Sequence, residues 1–267
     1  MDQVLFQNIS QAILSLALAM PRIHLALLFV PAMGLKEVRG LLKTAIVISV
    51  AMPIAAKNYY TVDPSNFGPL KIAFIMLKEA GIGMVIGFLL SLPFHLFLSI
   101  GAIIDNQRGA TSGQMFDPSL GSTTLLGSFM QKTFVVLIIE AGLFATIFML
   151  VIETYIFWPI SDIFPKPLFS GEQLVIEQFS DMTQKIMLYV LPVLVVTLLV
   201  DLAFAIIGLF SPQLQVFFLS MPAKSLVSLL ALAMYAGSLW YYGMLEVEAF
   251  NNLKASLNLL FFTPFSS

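Results

Sequence analysis

Between Asp201 and Lys224 the sequence reads DLAFAIIGLFSPQLQVFFLSMPAK. An acid opens a nearly unbroken apolar run, Pro212 and Pro222 interrupt it, and a lysine closes it. Proline lacks an N–H and its ring clashes with the preceding turn, so breaks are predicted at Ser211–Pro212 and again at Met221–Pro222. Surrounded by lipid, carbonyls freed in this way find partners only in neighbouring protein or in a water-filled cavity. The expectation is a broken helical hairpin buried against protein. If the short run after Pro212 is helical, Gln215 and Phe217 point about 200° apart. Gln213 and Gln215 are then expected to bond freed backbone, while Phe217 and Phe218 pack on neighbouring protein.

Lipid is the relevant solvent because the chain is too poor in charge for water. Of its 267 residues 59% are hydrophobic and 10% charged, with a mean hydropathy of +0.94, against about 25% charged in an ordinary soluble domain. The formal net charge of -2 provides no basic field for nucleic acid. The absence of cysteine excludes disulfides, thiolate nucleophiles and cysteine-ligated metals. No basic stretch precedes the first apolar run, so that run is expected to stay rather than be cleaved as a signal.

Six apolar segments follow one another at 9–33, 41–56, 71–104, 125–157, 186–210 and 213–245, with a mixed tail at 246–267. The second is short for a hydrocarbon core of about 30 Å. Strict two-residue alternation, the mark of a membrane β-barrel, is absent from the sequence. The fold class is therefore all-α: a polytopic, membrane-type helical protein of kinked, proline-broken hairpins, expected to act as one domain. Gly83 and Gly87 of the third segment stand in GxxxG register, with Gly81 beside them. Such spacing lets another helix backbone approach closely. The long polar stretch Asp105 to Thr124 reads as an irregular loop carrying Asp105, Gln107, Arg108, Asp117 and Pro118.

Arg22, Lys132, Glu140, Glu153 and Asp201 lie in or beside apolar blocks. A charge at the centre of a membrane helix costs roughly 2.5–3.5 kcal/mol on insertion scales, so each is expected to find a partner. Mixed signs, and no His–acid run on one face, favour charge pairing that fixes helix register over a proton pathway. His24 and His95 each stand alone, and a metal centre needs three or four converging ligands. Both are expected to be packing histidines. No Gly-x-Ser-x-Gly elbow and no phosphate loop is present. The reading is a protein with no catalytic residue, no metal site and no cofactor.

Two stretches resemble one family. IDNQRGATSGQMFDPSLG (104–121) is similar to the D-x-Q-x-G … D-P-x-x-G loop of the SctT/FliR/YscT/SpaR family, the T-type subunit of type III export gates. LLVDLAFAIIGLFSPQLQVFFLSMPAK (198–224) resembles its second hallmark, an acid followed by P-Q-L/M-x-V-F-F and then Pro-x-Lys. Pro21-Arg22, Pro31, Arg39 and Pro53 match in order, and the likeness covers nearly the whole chain. The connector Tyr155 to Pro167, and Ala141-Gly142-Leu143 where the flagellar branch has a Gly-His pair, place the resemblance nearer the virulence branch.

The resemblance implies a structural, pore-forming subunit in the bacterial inner membrane that guides unfolded secreted polypeptides. It implies one copy beside several R-type and S-type subunits and next to a U-type switch protein. It also implies a closed cone of kinked hairpins held partly above the bilayer. Its candidate assembly and pore residues are Arg22, Asp105, Gln107, Arg108, Asp117, Pro118, Glu140, Asp201, Pro212, Gln213, Phe217, Phe218, Pro222 and Lys224. The competing readings are a flagellar export-gate subunit and a proton-coupled transporter using Asp201, Glu140 and Glu153.

Overall fold

Backbone N–H and C=O groups surrounded by apolar side chains must bond to each other, and long uninterrupted helices are the simplest way to do it. The computed structural model takes that solution throughout, and describes residues 2–31, 40–60, 68–110, 124–162, 171–210 and 216–262. Its helices are α1 (Asp2–Phe29), α2 (Gly40–Asn58), α3 (Pro69–Gln107), α4 (Leu125–Glu140), α5 (Phe144–Phe157), α6 (Gly171–Phe210) and α7 (Val216–Phe262). No strand occurs among the described residues. Five helices are long and apolar enough to cross a membrane, and the bent pair α4–α5 makes a sixth candidate. The second segment, short on its uncharged core alone, becomes a candidate span because α2 extends over 19 residues.

Two expectations about breaks are corrected. The run does not break at Met221–Pro222: α7 passes through Pro222 and continues to Phe262. Pro222 lies near the start of a 47-residue helix, where its missing N–H removes one rung, to the carbonyl four residues back, and leaves the rest of the ladder intact. Pro21, Pro53, Pro93 and Pro192 are likewise inside helices. The expected break at Ser211–Pro212, with Gln213 and Gln215, lies outside the described residues. Conversely, the apolar block 125–157 is not continuous. It bends sharply between Glu140 and Phe144, where Gly142 takes φ +72°. Only glycine adopts that left-handed conformation without strain.

The chain groups into two compact units. The first holds Met1–Leu92, Ala141–Ile176 and Asn251–Ser267. In it Leu18, Ile23 and Ala26 of α1, Val47 and Ala51 of α2, and Ile147 and Val151 of α5 are buried. The GxxxG glycines do what their spacing predicts. A Cβ at Gly83 would collide with the Arg22 backbone, and one at Gly87 would lie 2.6 Å from the carbonyl oxygen of Ala26. Gly81 has nothing within 4 Å of its Cβ position and takes no part in this approach.

The second unit holds Pro93–Glu140 and Glu177–Phe250. Phe134 stacks on Phe97 at 4.5 Å between centroids and meets Phe94 edge-on at 5.4 Å. A second close approach occurs at Gly101 and Gly127, where a Cβ on Gly101 would lie 2.6 Å from the Gly127 Cα. Much of α6 and α7 stays uncovered within the chain: 17% and 6% of their most apolar windows are buried. Leu188, Leu191, Val195, Leu198 and Leu202 are exposed along α6.

Candidate functional site

Charges held within apolar helices are the chemistry this chain concentrates, and the described ones gather into clusters. The most enclosed surrounds Arg22 in the first unit. Arg22 and Glu79 are both fully buried, with Nε donating to Oε2 of Glu79 at 2.7 Å. The other guanidinium nitrogens donate to Oγ1 of Thr154 at 3.2 Å and to the Trp158 carbonyl at 2.9 Å. The guanidinium also lies 4.0 Å above the Tyr155 ring centroid, a cation–π contact that gains when water is excluded. Tyr155 is fixed in turn by its hydroxyl, which donates to the Ala19 carbonyl at 2.6 Å.

Lys78 completes the cluster. Its Nζ lies 2.8 Å from Oε1 of Glu79, close enough for the charges to attract but off the direction of a hydrogen bond. It donates to the carbonyls of Ile160 at 3.1 Å and Asp162 at 2.9 Å. The last turn of a helix leaves carbonyls without intrahelical partners and carries partial negative charge. Arg22 and Lys78 supply the donors and the positive charge at the end of α5 and the turn after it. Sequence reasoning singled out Arg22 but missed Lys78, Glu79, Thr154 and Trp158. The available signal was the Lys78-Glu79 pair, two adjacent charges within the apolar block 71–104.

The second cluster is the corner between α3 and α4. Asp105 is buried and accepts from Nε of Arg108 at 2.7 Å, with the second terminal nitrogen of Arg108 at 2.6 Å. The other Asp105 oxygen accepts the backbone N–H of Leu126 at 2.7 Å, and Oγ1 of Thr124 accepts that of Gly127 at 3.1 Å. Thr124 is thus the N-cap of α4, with Asp105 as a second acceptor at the positive helix end. Arg108 also donates to Oγ of Ser225 at 3.2 Å. In the same unit Asp201 pairs with Lys224. Lys185 bridges Asp181 at 2.9 Å and Glu246 at 3.1 Å, and the Tyr189 hydroxyl donates to Glu246 at 2.9 Å. The sequence reading had not singled out these last contacts.

The structure therefore brings together Asp105 with Arg108, and Asp201 with Lys224. Gln107 ends α3 half-buried. Glu140 and Lys132 are exposed on α4. At the surface of an apolar helix a charge meets water, headgroups or another chain rather than a buried counter-ion. Glu153 is half-buried. His24 is exposed beside a small apolar pocket that Lys43 also lines, rather than packed. Phe218 and Pro222 are exposed. Asp117, Pro118, Pro212 and Gln213 lie outside the described residues, as does the side chain of Phe217. Among the described residues no three His, Asp or Glu side chains converge as a metal centre requires.

A set of long apolar helices pinned together by enclosed ion pairs defines a multi-pass membrane protein. The chain belongs to the bacterial export proteins, family 1, which it matches over residues 13–247. It is similar to Yop proteins translocation protein T of Yersinia pestis, 29% identical over 233 residues, covering 85% of this chain and 87% of the relative. It is similar to the surface presentation of antigens protein SpaR of Salmonella typhimurium, 27% identical over 88% of each chain. A flagellar relative, FliR of Caulobacter vibrioides, is 26% identical over 82% of this chain and 86% of its own length. The all-α, polytopic fold expected from sequence is the one observed, and the chain is a multi-pass protein of the inner membrane.

Proposed function

We propose that the chain is the T-type subunit of a type III secretion export gate, a structural component that lines the path of unfolded substrates across the inner membrane. The observation that carries this is the family match over residues 13–247, with relatives of similar length named for translocation and for a secretion system apparatus. Its partners are the R-type and S-type gate subunits and the U-type switch protein, and it performs no bond chemistry itself. The uncovered apolar lengths of α6 and α7 support such partners, because they need either lipid or another subunit against them. The six apolar segments act together as one gate domain. Relatives from virulence systems favour secretion of effector-type substrates over flagellar assembly.

The transporter reading loses ground on geometry. Its leading acid, Asp201, already faces Lys224 from its own chain, which is the pairing expected of a charge that fixes helix register. Asp201→Asn is therefore expected to lower the yield of the assembled gate in detergent extracts, with secretion falling in proportion. Normal assembly with abolished secretion, or a changed pH dependence of secretion, would return Asp201 to a proton-carrying role.

A further inference from the structure

At one end of the first unit, the last turns of α2 and the end of α5 leave a pocket of about 180 Å³. Ile54, Tyr155 and Ile160 form its buried floor, with Ile152 half-buried beside them. Pro53, Lys57 and Ile156 stand exposed at its mouth, next to Asn58. The Tyr155 hydroxyl is committed to the Ala19 carbonyl, so this residue offers the pocket its ring alone. The walls are thus mostly hydrocarbon, and Lys57 is the one cation among the lining residues. Among the described residues Lys57 joins no ion pair. Lys78, by contrast, is engaged by Glu79 and two carbonyls. The acids nearby in sequence on the α5 side, Glu153 and Asp162, do not line the pocket.

The surrounding helices set its depth. α2 is a candidate span that ends at Asn58, and α3, another, begins at Pro69, so the chain turns here at the membrane boundary. Tyr59 and the exposed Tyr60 follow α2 directly, and Trp158 follows α5. Such amphipathic rings collect at the level of the lipid headgroups. From Asn58 back to Pro53 the helix rises about 7.5 Å. The pocket therefore runs from the headgroup level into the edge of the hydrocarbon, with the lysine at its outer end.

That order of chemistry, a cation outside and an apolar slot inside, is the order of a phospholipid standing in a bilayer. The pocket is smaller than the roughly 300–1,000 Å³ that encloses a drug-sized ligand, so it takes a segment of a chain while the rest projects through the mouth. A polar peptide or water alone would leave the isoleucines unmatched. An acyl chain covers them and brings its phosphate to the boundary, where lysine attracts it as a point charge.

We infer that the α2–α5 pocket is a binding site for an anionic phospholipid. The upper part of one acyl chain lies against Ile54, Ile152, Tyr155 and Ile156, and the headgroup phosphate pairs with Lys57. The site requires only that α2 and α3 meet the bilayer, so it goes beyond the export reading and stands or falls separately from it.

The test uses the full chain, purified with the partners it carries and reconstituted in phosphatidylcholine bilayers. These hold a small fraction of either phosphatidylglycerol or phosphatidylcholine with a diazirine on one acyl chain, and labelled residues are mapped by mass spectrometry after illumination. Label is expected on Ile54, Ile152 and Ile156, about fivefold stronger from phosphatidylglycerol, the effect of one lysine on an anionic lipid. Lys57→Gln is expected to abolish that preference without moving the label, whereas Lys132→Gln, on an exposed face of the other unit, should leave it intact. Ile156→Trp, which fills the mouth, is expected to reduce labelling of Ile54 and Ile152 by both lipids. Absence of label from all three isoleucines in the parent, the result if another protein segment fills the pocket, overturns the inference. So does equal labelling by the two lipids, or a preference that survives Lys57→Gln. Should a variant not accumulate, the position of the label and the lipid preference in the parent decide the matter.

Discussion

Arg22 was visible in the sequence as a cost, a guanidinium in an apolar run, but its partner was not. Glu79 lies 57 positions away, in a segment whose high hydropathy hid two consecutive charges. Pairing over that distance depends on how α1 crosses α3, which single-sequence periodicity does not encode. Asp105 and Arg108 were legible as a motif, yet the cap that Asp105 provides to α4 depends on a corner that only the fold creates. Removing one member of a buried ion pair leaves the other uncompensated, at a cost on the order of 3–5 kcal/mol, whereas replacing both by apolar residues is often nearly neutral. Glu79→Gln is therefore expected to reduce membrane accumulation and heat resistance in detergent sharply. The double variant Arg22→Met with Glu79→Met should recover part of that loss. Parent-like behaviour of Glu79→Gln would show that the pair contributes little.

At the scale of helices, glycine spacing proved a better guide than proline position. Gly83 and Gly87 announced the crossing with α1 because a missing Cβ is a direct geometric statement about how near another backbone can come. Pro222 announced a break that the ladder absorbs, since it removes one donor from a helix whose other rungs are unaffected. The actual break, at Gly142, looked in sequence like one more residue of an apolar block. Overpacking a tight contact costs typically about 1–3 kcal/mol. Gly87→Ala, which drives a methyl to 2.6 Å from the Ala26 carbonyl, is expected to lower the unfolding temperature of the extracted protein. Gly81→Ala, with open space around it, should leave that temperature unchanged or slightly raised, as alanine has the higher helix propensity. Equal effects of the two substitutions would mean that α1 and α3 do not cross at Gly87. Gly142→Ala belongs to the same scale. It forces a Cβ into a left-handed turn, and a loss of stability of roughly 1–2 kcal/mol is expected in equilibrium unfolding. A neutral result there would place the bend elsewhere.

For the molecule as a whole, the fold class was legible because charge scarcity and segment length leave few alternatives to a bundle of long helices. Its function was legible only through the two hallmark stretches, since the sequence carries no catalytic motif beside them. The apolar lengths left uncovered on α6 and α7 need either lipid or another subunit against them. The measurement that decides the matter is the composition of the complex that the tagged chain brings out of its native membrane in mild detergent, read by native mass spectrometry. The account predicts a stable assembly holding one copy of this chain with several copies each of an R-type and an S-type subunit. A lone monomer or a symmetric dimer, recovered intact under conditions that preserve the other two subunits together, would contradict it.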